Sequence, residues 1–229
     1  MTQLSLTALP RLLQLSSTML PVGAYSYSQG LEYAIEAGIV RDANTASAWI
    51  TDVLSFSMSS FEAPLMSRMQ QAWKQNDINQ AINYNELFIC SRETAELRAE
   101  TLQMGYSLLR LLEQLDDMPA AQLAVLRDQN EVSFPCVYAL AAVAWNIPEA
   151  AVVHAYMWSW LENQVSAAMK TVPLGQVAGQ RMMANLGSQL PAFAEKALQL
   201  EDDELSNFSP MLAIVSSLHE TQYSRLFRS

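Results

Sequence analysis

The candidate bases for a nucleophile in this chain are His154 and His219, its two histidines. A serine nucleophile needs such a base and a third group to orient it. Ser26-Tyr-Ser28-Gln-Gly30 sets serines beside a glycine, but the first glycine of a G-x-S-x-G elbow is missing and no strand pattern leads into it. His154 lies in the apolar run Ala151–Met157, where an imidazole reads as a satisfied core residue. A small helical hydrolase using His154 or His219 is thus an alternative for which the chain suggests no substrate.

Metal centres want clustered histidine, cysteine or carboxylate ligands. The two histidines and two cysteines lie far from one another in sequence. His219 and Glu220 are adjacent, so they project about 100° apart on a helix, and no H-E-x-x-H continues from them. The residues predict no tight nickel or zinc site in one chain, while a site shared across a dimer axis, one histidine from each copy, stays open. Phosphate chemistry is poorly served: Pro173-Leu-Gly175-Gln-Val-Ala-Gly179-Gln180 has two glycines four apart but no G-K-[ST]. Gly175 and Gly179 would share a helix face and admit another backbone. Glu93, Glu96 and Glu100 accompany Arg92 and Arg98. There Arg92 and Glu96 read as an i,i+4 pair on a solvated helix face, worth roughly a few tenths of a kcal/mol.

Helices must position all of these groups. Apolar residues recur at helical spacing from end to end, and strand alternation is nearly absent. The pattern predicts helices over about 5–17, 28–37, 44–60, 63–75, 78–90, 92–115, 119–128, 134–146, 148–171, 174–186, 189–199 and 209–221. Asp42 or Asn44, Pro64 and Ser91 mark starts, and Gly38, Asn76-Asp77, Asp116–Pro119, Asn130–Ser133 and Pro173 mark breaks. Short connections suit antiparallel neighbours. The expectation is an all-α chain with a single bundle of about ten or more helices over residues 1–205. Beyond the acidic block Glu201–Glu204, residues 206–229 form an arm. It carries Arg225 and Arg228 against Glu220, and it either folds back on the bundle or reaches another chain.

Composition narrows the function classes. Of 229 residues, 51% are apolar and only 16% charged, against roughly 25% in ordinary globular domains. So little charge predicts a surface partly hidden in contacts with other proteins. A net charge of −10, with no run of Lys and Arg, argues against nucleic acid and against anionic membrane as partners. Cys90 and Cys136, isolated in apolar helical patterns, read as buried thiols in a reducing cytoplasm. The first residues lack the basic n-region of a signal peptide. Phe134–Trp160 is almost wholly apolar, but Asn146, Pro148 and Glu149 interrupt it, so it reads as two buried helices rather than a span. The twelve methionines mostly follow helical spacing and read as core filler first.

The most specified segment is Leu20-Pro-Val-Gly-Ala-Tyr-Ser-Tyr-Ser-Gln-Gly-Leu-Glu32. Pro21, Gly23 and Gly30 fall together there, in a chain with seven glycines, and define a turn of fixed shape. This segment resembles the signature of the UreF family of urease accessory proteins. Ser91-Arg-Glu-Thr-Ala-Glu-Leu-Arg98 up to Gly105 and Phe134–Trp145 are similar to the family's central and apolar helices. Lys170–Gln180 and the ending His219–Arg228 complete the match, in order along nearly the whole chain. Tyr25 stands where many members have phenylalanine, which keeps the ring.

The resemblance implies an all-α accessory protein, not an enzyme, that helps to load nickel into urease. It implies a homodimer that binds the UreD/UreH accessory protein, recruits the nickel-carrying GTPase UreG and acts with them on apo-urease. The complex handles the nickel, and this chain holds no cofactor tightly; a metallochaperone that binds nickel itself is the alternative. Carried over by residue, the GTPase-facing surface comprises Ser26, Glu32, Glu96 and Lys170. Tyr223, Arg225, Leu226, Phe227 and Arg228 belong to an arm that docks on UreD/UreH and is disordered or rearranged in the protein alone.

Overall fold

Three helices of this protein begin where a side chain, that of Asp42, Asp77 or Thr94, accepts from a free amide of the first turn. The computed structural model describes residues 3–229. Helices α1 (Leu9–Leu15), α2 (Leu31–Glu36) and α3 (Ala43–Val53) are followed by α4 (Ala63–Lys74), α5 (Ile78–Cys90) and α6 (Ala95–Leu112). Then come α7 (Ala120–Arg127), α8 (Phe134–Ala144), α9 (Glu149–Thr171), α10 (Gln176–Gly187), α11 (Leu190–Gln199) and α12 (Pro210–His219). No strand occurs among the described residues, as the periodicity predicts.

Asp42 starts α3: its carboxylate accepts from Thr45 N at 2.8 Å, and Thr45 Oγ1 accepts from Asp42 N at 3.0 Å. Helix α6 begins later than expected. Thr94, in extended conformation, caps it by accepting from Leu97 N at 3.2 Å, so Arg92 and Glu93 precede the helix. The predicted break between residues 60 and 63 is absent. Helices α3 and α4 run on through Leu54–Glu62, wound in wider π-type turns that end with Ala63 N donating to Met58 O. Pro64 has no N–H for the Ser60 carbonyl four residues back, and Ser206 N donates to that carbonyl instead, at 3.0 Å.

Helix α8 lies at the centre, with every residue from Phe134 to Ala142 buried against α4, α5 and α6. Its partner α9 packs on α2, α4, α10 and α11. Between them the chain reverses at Asn146 (φ 53°) and Pro148, so the long apolar stretch is two helices. No helix among the described residues is long and apolar enough to cross a membrane. Phe134, Tyr138 and Tyr156 stack and cross edge to face with centroids 5.4–6.1 Å apart, and Trp73 Nε1 donates to the Cys136 carbonyl at 3.2 Å. Burial pushes the Cys136 thiol up to about 12, an inert core sulfur, whereas Cys90 is exposed rather than buried. Gly175 faces open space and Gly179 faces the Met169 side chain, so these glycines do not admit a second backbone.

Candidate functional site: the seat of the C-terminal tail

The turn before α2 is built from left-handed residues. Gly23 has φ 80°, and Gln29 and Gly30 follow one another at φ 52° and 77°. Gly30 is required twice over. A side chain there would be strained, and a Cβ would meet Val215 Cγ2 at 2.8 Å and the Ser216 amide nitrogen at 3.0 Å, so α12 rests directly on this glycine. The kinked turn presents main-chain groups that α2 does not use, and the end of the chain pairs with them. Arg228 N donates to Ser26 O at 2.8 Å, and Ser28 N donates to the Ser229 main-chain oxygen at 2.6 Å.

Carboxylates from two helices complete the seat. Glu32, in the first turn of α2, accepts from Leu226 N at 2.7 Å and from Phe227 N at 2.9 Å. Glu96, in the first turn of α6, accepts from Arg225 Nη1 at 2.6 Å. The imidazole of His219, fully buried at the end of α12, lies between them, with Nδ1 2.6 Å from Glu96 and Nε2 3.2 Å from Glu32. Glu220 accepts from Ala95 N at 2.9 Å, putting a negative charge on the start of α6, where the helix dipole favours it. One turn beyond Glu96, Glu100 accepts from Gln29 Nε2 at 2.8 Å and from Ser229 Oγ at 2.9 Å. Burial pushes the Glu100 carboxyl up to about 7. Lys170, exposed near the end of α9, places Nζ 5.3 Å from the ring centroid of buried Phe227.

Gln29 and Glu100 also line a cavity of about 320 Å³ that runs under the turn. Glu62, from the π-wound segment, and Arg92 pair in it at 2.7 Å with side chains 9% and 5% exposed. The guanidinium lies over Phe88 at 4.3 Å, and Tyr156 donates to Glu62 at 3.4 Å. The solvated Arg92–Glu96 pair expected from sequence therefore does not form: Arg92 turns inward to Glu62, and Glu96 belongs to the tail.

Two groups of residues that the sequence reading keeps apart thus meet in one place. Ser26, Glu32, Glu96 and Lys170 hold or touch Arg225, Phe227 and Arg228, with Leu226 engaged through its amide. Tyr223 stands apart, fully exposed. Pro21 and Gly23 shape the exposed side of the turn. The tail, expected to be loose or rearranged in the protein alone, is folded back on the body. Sequence reasoning misses Ser28, Gln29, Glu100 and the bridging place of His219. The i,i+4 spacing of Glu96 and Glu100 was the available signal, since it puts both on one face of α6.

The arrangement clasps the chain's own C-terminal peptide segment through main-chain amides and the Arg225 side chain. Both nitrogens of His219 are engaged by carboxylates. His154, half-buried on α9, is held below the usual histidine range by burial. Among the described residues no group of three or more His, Cys, Asp and Glu is placed to hold a metal ion.

Comparison with known proteins places this geometry. The family model UreF matches residues 40–187. The urease accessory protein UreF of Azoarcus sp. (strain BH72) is 55% identical, with 98% of this chain and 97% of the relative covered. That of Methylobacillus flagellatus is 51% identical over 97% of this chain and 98% of its own length. The bifunctional urease accessory protein UreEF of Bordetella bronchiseptica is 48% identical over 96% of this chain, which corresponds to 52% of that longer protein. These relatives align over nearly the whole chain, and this chain belongs to the UreF family of urease accessory proteins.

Proposed function

We propose that this protein is a dimeric, non-catalytic scaffold for urease maturation. It binds the UreD/UreH accessory protein and recruits the nickel-carrying GTPase UreG, and the assembly inserts nickel into apo-urease in the cytoplasm. Nickel is cargo of the complex, and this chain keeps no cofactor of its own.

The observation that carries the reading is the outer face of α12. Leu212, Val215, Ser216 and His219 face the body, while Met211, Ile214 and Leu218 form an apolar stripe at helical spacing that remains 43–52% exposed. Phe208 before the helix, and Tyr223 and Leu226 after it, extend the stripe with further exposed apolar side chains. A patch of this kind on a chain with 16% charged residues supports a protein partner. The far side of the same element clasps Glu32 and Glu96, so a partner seated on α12 bears directly on the turn to which the GTPase contact is assigned. The fused relative named UreEF fits a protein that works beside other urease accessory factors.

Co-expression with UreD/UreH and the GTPase, purification by a tag on this chain and light scattering test the reading. A complex with two copies of this chain is expected. Ile214→Asp with Leu218→Asp should abolish capture of UreD/UreH while the helical circular dichroism signal is kept, because both side chains already face solvent. Undiminished capture by that variant would refute the assigned face.

A further inference from the structure

Both ring nitrogens of His219 face carboxylates, and a carboxylate offers only acceptors. Two such hydrogen bonds require donation from both nitrogens, which the cationic imidazolium alone provides. The remaining oxygen of Glu96 holds Arg225, and Glu32 holds the Leu226 and Phe227 amides. Two carboxylates thus face two cations, one guanidinium and one imidazolium, with the imidazole fully buried.

The other charged groups around this cluster are already directed elsewhere. On α12 itself, Glu220 turns to the amides of Ala95 and Glu96. On α6, Glu100 faces Ser229 and Gln29, and on α9, Lys170 faces the Phe227 ring. Arg228 lies by the Tyr27 hydroxyl. None of them replaces the charge of the ring.

We propose that His219 is a proton-operated latch on the C-terminal tail, clasping it while the ring is cationic and releasing it when one ring proton is lost to solvent. When one N–H bond breaks and its proton passes to a solvent base, a nitrogen lone pair faces a carboxylate. Buried Glu32 and partly buried Glu96 then share one cation, and the Glu32 side chain that holds the Leu226 and Phe227 amides loses its anchor. Imidazole is the side chain that ordinarily changes charge between about pH 5 and 8. The clasp is complete while both ring nitrogens carry protons and weakens once one of them is lost. The apolar stripe of α12 is continuous with the tail, so the latch governs when the docking element is held to the body. This goes beyond the scaffold reading and does not depend on which partner docks there.

Hydrogen–deuterium exchange of the full chain, corrected for the intrinsic pH dependence of amide exchange, tests it. Protection of the Leu226 and Phe227 amides should fall at least tenfold between pH 6 and pH 9, while α8 amides keep theirs. The step should persist in His154→Gln and in Glu100→Gln and vanish in His219→Gln, whose tail is poorly protected throughout. Equal tail protection at the two pH values overturns the latch, as does a step that survives His219→Gln or disappears in Glu100→Gln. Should His219→Gln fail to fold, the ¹⁵N signals of the ring in the unaltered protein decide. Two ring protons at pH 6 and one at pH 9, changing together with tail protection, uphold the latch, and tail opening at constant ring protonation overturns it.

Discussion

At Glu100 burial and hydrogen bonding pull in opposite directions, and burial dominates. The carboxylate accepts from Gln29 and Ser229, which favours ionisation, yet desolvation carries its pKa from 4.5 up to about 7. Between those two values the folded protein binds a proton that the unfolded chain has lost. Stability contributed by the neutral carboxyl is therefore complete below the unfolded value and declines as pH rises toward 7, by about 3 kcal/mol at most. Glu100→Gln keeps one acceptor oxygen, for Gln29, turns an amide N–H toward the Ser229 hydroxyl, which can accept it, and cannot ionise. Its stability relative to the unaltered protein should rise between pH 5 and pH 8 by that order of magnitude, as read by urea denaturation at each pH. A constant difference at both values would show that Glu100 is not the titrating group. The sequence does not reveal this residue's environment. Glu93, Glu96 and Glu100 look alike in a charged run, but Thr94 takes the cap, starts α6 late and leaves Arg92 outside it to pair with Glu62.

Among the elements, α12 is the one whose place depends on another segment's lack of a side chain. Gly23 and Gly30 both have positive φ, but only Gly30 lies against another helix. Alanine at Gly23 meets open space and should lose only about 1–2 kcal/mol from the left-handed backbone. At Gly30 the same backbone term applies, and the methyl also overlaps Val215 and the Ser216 main chain, which adds about 1–3 kcal/mol and lifts α12. Chemical denaturation of Gly23→Ala and Gly30→Ala compares the two; equal losses would mean that the helix does not press on the turn. The need for these glycines was legible, because their clustering marks a specified turn. What presses on Gly30 was not legible, since that contact joins residues almost two hundred positions apart. The helices themselves were readable from their 3.6-residue period. The exception is the run through Leu54–Glu62, where Pro64 suggested a helix start and a distant amide, Ser206 N, takes the carbonyl that proline cannot serve.

For the molecule as a whole, the tail turns two surfaces into one. Residues assigned from sequence to separate partners converge where α2, α6, α9 and the chain end meet, so under the proposed function docking on α12 and recruitment at the turn would share a set of side chains. Lys170 lies at the rim of this region, exposed, on a protein of net charge −10, with its ammonium against Phe227. Rim charges act mainly on association rate and on its salt dependence, because their fields are screened over about 10 Å at 0.1 M salt. Lys170→Glu exchanges this cation for an anion beside the Phe227 ring and should slow binding of the GTPase about tenfold at low salt. The difference should shrink toward unity near 1 M salt, and the thermal midpoint should move by only a few degrees, because the side chain is solvated. Lys170→Arg, which keeps the charge and stacks on the ring, should bind at the normal rate. Stopped-flow association of the GTPase with the preformed complex, run across a salt series, measures this. An unaltered rate in Lys170→Glu at low salt would remove Lys170 from the recruiting surface. A deficit independent of salt would mean that the lysine acts by seating Phe227 instead of steering the partner.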